Sequence, residues 1–258
     1  MNFLIIGDIV GKAGMEGVKK LLPKIKEDYK IDFIIANGEN SADGMGITKS
    51  IVNELISLGV DCITMGNHTW GKKDIFSFID EEKRLIRPAN YATGVPGKGS
   101  VIIEKNNKKI GIINLIGRVN MGASYDSPFE IADLEIKKLK ENGADVIIVD
   151  FHAEATAEKL ALAYYLKDKV NMLFGTHTHV QTADEKIYDT GMGYITDVGM
   201  TGPANSIIGM EYEAAMKRFL TQIPERYLCA EGPYFFNGVV FEFDESIRKV
   251  KKIDRIVL

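Results

Sequence analysis

Apolar residues in this chain fall in short, nearly unbroken runs that close on glycine or a polar residue. FLIIG (3–7), IDFIIANG (31–38), DCITMG (61–66), ADVIIVDFH (144–152) and VNMLFG (170–175) all have this form. Such runs, bounded by turn residues, read as strands buried on both faces. Stretches of helical spacing lie between them, at 12–29, 72–80, 129–142 and 154–167. A further helix is predicted from Thr48 as cap through Ser57, stopped by Gly59. Strand–helix alternation implies a parallel sheet covered by helices. Elsewhere the pattern changes. SVIIEKNNKKIGIINL (100–115) predicts a hairpin turning at Asn106-Asn107. GYITDVG (193–199) and the final GVVFEFDESIRKVKKIDRIVL alternate apolar with polar residues, which suits antiparallel strands with one wet face. No linker, internal repeat or low-complexity segment interrupts the chain. The expectation is one α/β domain over residues 1–258, with a mixed sheet or two stacked sheets.

Composition narrows the function classes. The chain has 258 residues, 45% hydrophobic and 26% charged, which is ordinary for a globular domain able to bury a sizeable core. A formal net charge of -4 argues against a broad basic surface for long nucleic acids but leaves room for a small anionic substrate. The two cysteines, Cys62 and Cys229, stand in no metal-type spacing and read as reduced thiols of a cytoplasmic protein. MNFLIIGDIVGK has no basic leader region and its apolar run ends at Asp8, so it does not read as a signal peptide. No stretch approaches the ~18 apolar residues of a membrane span.

The residues with chemical capacity stand directly after the strands. FLIIG is followed by Asp8, IDFIIANG by Glu39-Asn40, and DCITMG by Asn67-His68. ADVIIVDFH ends on His152, and VNMLFG runs into Thr176-His177-Thr178-His179. In open α/β sheets ligands bind at the carboxyl ends of strands. Five such ends here carry metal-capable side chains, and they use all four histidines of the chain. Taken singly, each residue has a structural reading as a cap, a turn or a hydrogen-bonded core histidine. Taken together, imidazoles and carboxylates clustered at a buried sheet edge are costly unless paired or metal-bound. Oxygen and nitrogen donors without thiolate suit manganese, iron or zinc. There are more donors than one ion needs, which suggests two metals sharing a carboxylate, able to hold a hydroxide and clamp a phosphoryl group. On an extended chain His177 and His179 would project the same way, ~6.5–7 Å apart, one toward each metal.

The order Asp, Glu-Asn, Gly-Asn-His, His, Gly-x-His-x-His resembles that of the calcineurin-like metallophosphoesterases, from Asp8 to His179. The resemblance implies a four-layer αββα sandwich with two mixed β-sheets. The sequence departs from the superfamily at Gly7-Asp8-Ile9-Val10, which lacks the usual first histidine. It departs again at Gly38-Glu39-Asn40, where glutamate replaces the bridging aspartate, and at Gly66-Asn67-His68-Thr69-Trp70, which has no acidic residue after the histidine. These departures, with GDIVGKAG, ANGENSADGMGIT, TMGNHTWGKKDI, RPANY and DVGMTGP, resemble the YmdB-type phosphodiesterases over nearly the whole chain.

That likeness implies hydrolysis of 2',3'-cyclic nucleotides, with broader activity on simple phosphoesters, at an iron or manganese dinuclear centre. It assigns one metal to Asp8, Glu39, Asn40 and His179, and the second to Glu39, Asn67, His152 and His177. Asn40 would replace the missing histidine, or else stand behind the metal or against phosphate. His68, directly after Asn67, would face substrate and protonate the leaving ribose oxygen after attack by a metal-bridging hydroxide; the alternative is an orienting role. Asn67 would also bind phosphate oxygens, and Arg118, near a strand end, is a candidate substrate contact. The loop 201–206 could meet substrate or a second subunit of a homo-oligomer. Competing readings are a di-metal phosphomonoesterase and a non-catalytic, metal-stabilised signalling module. Gly7, Gly11-Lys12 and Gly14 match neither a phosphate-binding loop nor a dinucleotide fingerprint, and no G-x-S-x-G occurs.

Overall fold

A computed structural model describes residues 1–226 and 228–258. The first half runs β1 (Asn2–Ile6), β2 (Asp8–Ile9), α1 (Gly11–Asp28), β3 (Phe33–Asn37), α2 (Lys49–Ser57), β4 (Cys62–Thr64) and β5 (Leu85–Ile86). The hairpin β6 (Ser100–Lys105) and β7 (Lys108–Ile116) comes next, then α3 (Pro128–Glu141), β8 (Val146–His152), α4 (Thr156–Leu166) and β9 (Met172–Thr176). The chain finishes with β10 (Lys186–Ile187), β11 (Gly193–Ile195), β12 (Met200–Pro203), α5 (Tyr212–Thr221), β13 (Tyr234–Phe235), β14 (Asn237–Asp244) and β15 (Lys249–Val257).

Two six-stranded mixed sheets result. One has the order β15-β14-β1-β3-β4-β5, the other β10-β11-β9-β8-β7-β6. In the first, β1, β3, β4 and β5 run parallel and β14 and β15 add antiparallel at one edge; in the second, β11, β9, β8 and β7 run parallel with β10 and β6 antiparallel at the two edges. The two-residue period of a strand explains the layering. In β1, Phe3 and Ile5 join an inter-sheet core with Ile148 and Phe174 of the second sheet, while Leu4 and Ile6 pack with Val18 and Leu22 of α1. In β8, Val146 and Ile148 face the first sheet, while Ile147, Val149 and Phe151 pack with Ile136 of α3 and Leu162 of α4. Helices α1 and α2 therefore cover one sheet and α3 and α4 the other, giving the four-layer αββα sandwich of the calcineurin-like fold. Each fully buried side chain of this size adds roughly 1.5–3 kcal/mol.

Several local expectations hold for their stated reasons. Thr48 Oγ1 accepts from Ile51 N at 3.4 Å and caps α2, and Gly59 takes φ +100 just past its end. Asn106 and Asn107 both have positive φ, at 52 and 58, the two-residue turn that matches strand twist. Others are corrected. The helix expected over 72–80 is only a 3₁₀ turn, Lys73–Ser77, with no side-chain cap to extend it. The strand expected over 193–199 stops at Ile195: the chain bends at Thr196, whose N–H donates to Asp184 Oδ1, and pairing resumes at β12. Helix α5 has no counterpart among the elements expected from the hydrophobic pattern. Among the described residues, no helix is long and apolar enough to cross a membrane.

Candidate metal centre

The parallel strands β1, β3 and β4 and the parallel strands β7, β8 and β9 end on the same side of the sandwich, and the polar residues after them meet there. Asp8 arrives by a change of sheet: after β1, Gly7 N donates to Asn237 O at 3.1 Å and Asp8 N to Gly199 O at 2.9 Å. Gly7 permits this because a Cβ there would lie 2.0 Å from Gly199 O. Glu39 follows β3, and Asn37 Oδ1 accepts its N–H at 3.1 Å. Asn67 and His68 follow β4. His152 is the last residue of β8 and is fully buried. Gly66 clears the floor, since a Cβ would fall 2.3 Å from His152 Nε2 and 2.5 Å from Glu39 Oε2.

Each deeply placed histidine has one ring nitrogen engaged away from the centre and the other turned into it. His152 Nδ1 donates to Thr176 Oγ1 at 2.9 Å, and that hydroxyl donates to Asp150 Oδ1 at 2.8 Å. His152 Nε2 then faces Asn67 Oδ1 at 3.0 Å, Glu39 Oε1 at 3.1 Å and His177 Nδ1 at 3.1 Å. His177 Nε2 donates to Glu154 Oε2 at 3.1 Å. His179 Nδ1 donates to Ile208 O at 2.8 Å, leaving Nε2 3.1 Å from Asn40 Nδ2 and 3.8 Å from Asp8 Oδ1. A hydrogen bond on one ring nitrogen fixes the tautomer and frees the other as a ligand.

The electrostatics call for positive charge. Asp8 Oδ1 is buried and accepts no hydrogen bond, a costly state for a carboxylate without a cation. Burial pushes Asp8 up from the ordinary carboxylate range despite His179 and His152. Burial would also raise Glu39, but His152 and His68 outweigh it and hold that carboxylate well below its usual value. Burial alone would lower His152, yet Glu39, Asp8 and Asp150 lift it to about 9, while burial and the neighbouring His152 depress His177 to about 3. His152 Nε2 thus stands at the point where oxygen and nitrogen donors converge and where the acidic groups favour positive charge. Donor atoms of Glu39, His152 and His177 all lie within 4.8 Å of one another, a spacing one ion could span. The donor set and the orphaned Asp8 oxygen both fit metal cations.

Asp8, Glu39, Asn40, Asn67, His68, His152, His177 and His179 are brought together, and Arg118 is not. His177 and His179 are not on extended chain: β9 ends at Thr176, and the two histidines take φ of 101 and 64. Positive φ is uncommon for non-glycine residues and is held by surrounding contacts. Here His177 N donates to Asp8 Oδ2 at 3.1 Å and Thr178 N to Asp197 Oδ2 at 3.1 Å. The side chains diverge, His177 toward His152 and His179 toward Asp8 and Asn40. Asn40 turns its amide nitrogen toward Glu39 Oε1 (3.2 Å) and His179, and its carbonyl oxygen toward His68 Nδ1 (2.7 Å). His68 N donates to Glu39 Oε2 at 2.8 Å, and its side chain is 34% exposed against 0% for His152. Arg118 lies at the rim: its backbone N–H donates to Glu158 Oε1 at 2.9 Å and its side chain is exposed. In the segment 201–206, Thr201–Pro203 forms part of β12 and Ser206 Oγ donates to Pro203 O; the loop that continues from it supplies the Ile208 carbonyl behind His179.

Residues 4–256 match the YmdB-like protein family. The chain belongs to that family. It is 49% identical over 258 residues to the 2',3'-cyclic-nucleotide 2'-phosphodiesterase of Bacillus subtilis, covering 100% of this chain and 97% of that protein. It is 38% identical to a novel phosphatase of Mycoplasma pneumoniae whose crystal structure superposes with a TM-score of 0.94, covering 100% of this chain and 93% of the other. A 5'-nucleotidase precursor of Thermus thermophilus shares the fold, at 12% identity and a TM-score of 0.61, covering 100% of this chain and 54% of that one.

Around this YmdB-like centre lies a layer that no motif in the sequence announces. Thr176, Asp150 and Glu154 orient ring nitrogens. Lys159, fully buried on α4, donates to Asp197 Oδ2 at 2.6 Å and to Thr176 O at 2.8 Å. Asp197 accepts in turn from Thr178 N and Gly199 N, so one buried ion pair braces both sides of the His177–His179 turn. A lysine within a helix and an aspartate within DVG carry no local signal of this pairing.

Proposed function

We propose that this protein is a metal-dependent phosphoric ester hydrolase that opens 2',3'-cyclic nucleotides. The observation that carries the reading is three inward-turned imidazole nitrogens and two buried carboxylates beside one half-exposed histidine. The name of the Bacillus subtilis relative supports the substrate class. Glu39, Asn67, His152 and His177 would hold one ion, and Asp8, Glu39, Asn40 and His179 the other, with iron or manganese suited to the donors and zinc also compatible. Such ions supply an activated water and neutralise phosphate charge.

The chain's own groups do the rest. Asn67, at the mouth of the cluster, positions a phosphate oxygen. Asn40 Oδ1 holds His68 by its Nδ1–H, so Nε2 is the nitrogen left to the open side. From there His68 protonates the departing ribose oxygen. His152 and His177 keep their orientation through Thr176 and Glu154 while charge redistributes at the centre.

The test is His68→Ala. Turnover of 2',3'-cyclic AMP should fall roughly 100-fold or more, with metal content by elemental analysis unchanged. Loss of metal would instead make His68 a ligand. A phosphatase name among the relatives favours a second reading, phosphomonoester hydrolysis by the same groups. Comparing 2',3'-cyclic AMP with adenosine 3'-monophosphate separates the two.

A further inference from the structure

The segment 117–127 leaves β7 at the same strand-end edge as the metal cluster and encloses a recess of about 440 Å³ against α3 and α4. Arg118, Val119, Tyr125, Ser127, Phe129 and Glu158 line it. The segment beside the recess is tied to the centre at several points. Gly117 N donates to His152 O at 2.9 Å. Glu154, which holds His177, donates its backbone N–H to Met121 Sδ at 3.3 Å. Tyr125 stacks on Tyr91, centroids 5.2 Å apart and planes 16° from parallel. The Tyr91 hydroxyl donates to Gly66 O at 2.7 Å, and Gly66 packs against His152 and Glu39.

The lining has the chemistry of a flat heteroaromatic guest. Tyr125 and Phe129 offer aromatic surface, Val119 an apolar side, and Arg118 and Ser127 polar groups for ring edges. The volume lies in the range of small-molecule sites. One cation offset by Glu158 is a poor site for a second phosphate. We infer that this recess receives the base of the nucleotide substrate, with Tyr125 as the stacking platform. The inference rests on the phosphodiesterase reading.

The test compares 2',3'-cyclic AMP with ribose 2',3'-cyclic phosphate, which lacks the base. The kcat/KM ratio of the two should fall roughly tenfold in Tyr125→Ala, the scale of one lost base–aromatic stack. Val119→Trp, which places a bulkier side chain at a lining position that is 48% exposed, should lower the same ratio. An unchanged ratio in either variant overturns the assignment. If the wild-type enzyme opens neither compound, the phosphodiesterase reading fails by itself. The recess is then judged by calorimetry with adenosine 3'-monophosphate and ribose 3-phosphate. Weaker binding of the nucleotide alone in both variants upholds it, and equal binding refutes it.

Discussion

The three buried or half-buried histidines of the centre differ in what holds them, a hydroxyl for His152, a carboxylate for His177 and a carbonyl for His179. The candidate ligands themselves are legible in the sequence because each stands at or just past the end of a recognisable apolar strand. The holders are not, because one comes from the neighbouring strand β9 and the others, Glu154 and Ile208, from loops whose placement no local pattern records. Thr176 sits beside His152 only through the β8–β9 pairing. Replacing it with valine keeps the shape and removes the acceptor for His152 Nδ1. Thr176→Val should weaken metal binding about 10–100-fold, measured by titration calorimetry, with an unchanged circular dichroism spectrum. Unchanged affinity would mean that packing alone orients His152.

At the scale of elements, the buried strands are readable because unbroken apolar runs have few alternatives. Helix α5 is not, since its large apolar residues Phe219 and Leu220 are 73% and 76% exposed and draw no packing signature from a core. The turn carrying His177 and His179 reads as strand because two histidines at i and i+2 mimic strand alternation. That turn is continuous with a polar loop ordered by Asp184. Its carboxylate accepts from Thr182 Oγ1 at 2.7 Å, from Thr196 N at 3.1 Å and from the Thr196 hydroxyl. Burial would raise Asp184, but these bonds outweigh it and set it below its ordinary value of 3.8. A depressed carboxylate contributes stability above its unfolded value and loses it as pH falls toward the folded one. Asp184→Asn should therefore cost about 1 kcal/mol at neutral pH, given its exposed position. In urea melts the difference should shrink as pH drops below 3.8. A pH-independent difference would exclude the charge as its source.

For the whole molecule, the sandwich brings two sets of parallel strands to one edge, and that is why residues from Asp8 to His179 can meet. Cys62 reports on the same architecture. It is fully buried between the sheets, and burial together with Asp150 and Asp61 pushes its thiol above the ordinary range. It should resist iodoacetamide in the folded protein and react only at the rate of global unfolding. Labelling faster than unfolding would show that the sheets part locally.

Everything proposed for this edge depends on its holding two cations within one donor shell. Anomalous diffraction from crystals grown with manganese tests that most directly. Two peaks per chain are expected, one among Glu39, Asn67, His152 and His177, the other among Asp8, Glu39, Asn40 and His179. A single peak, or none beside Asp8, would contradict the dinuclear centre.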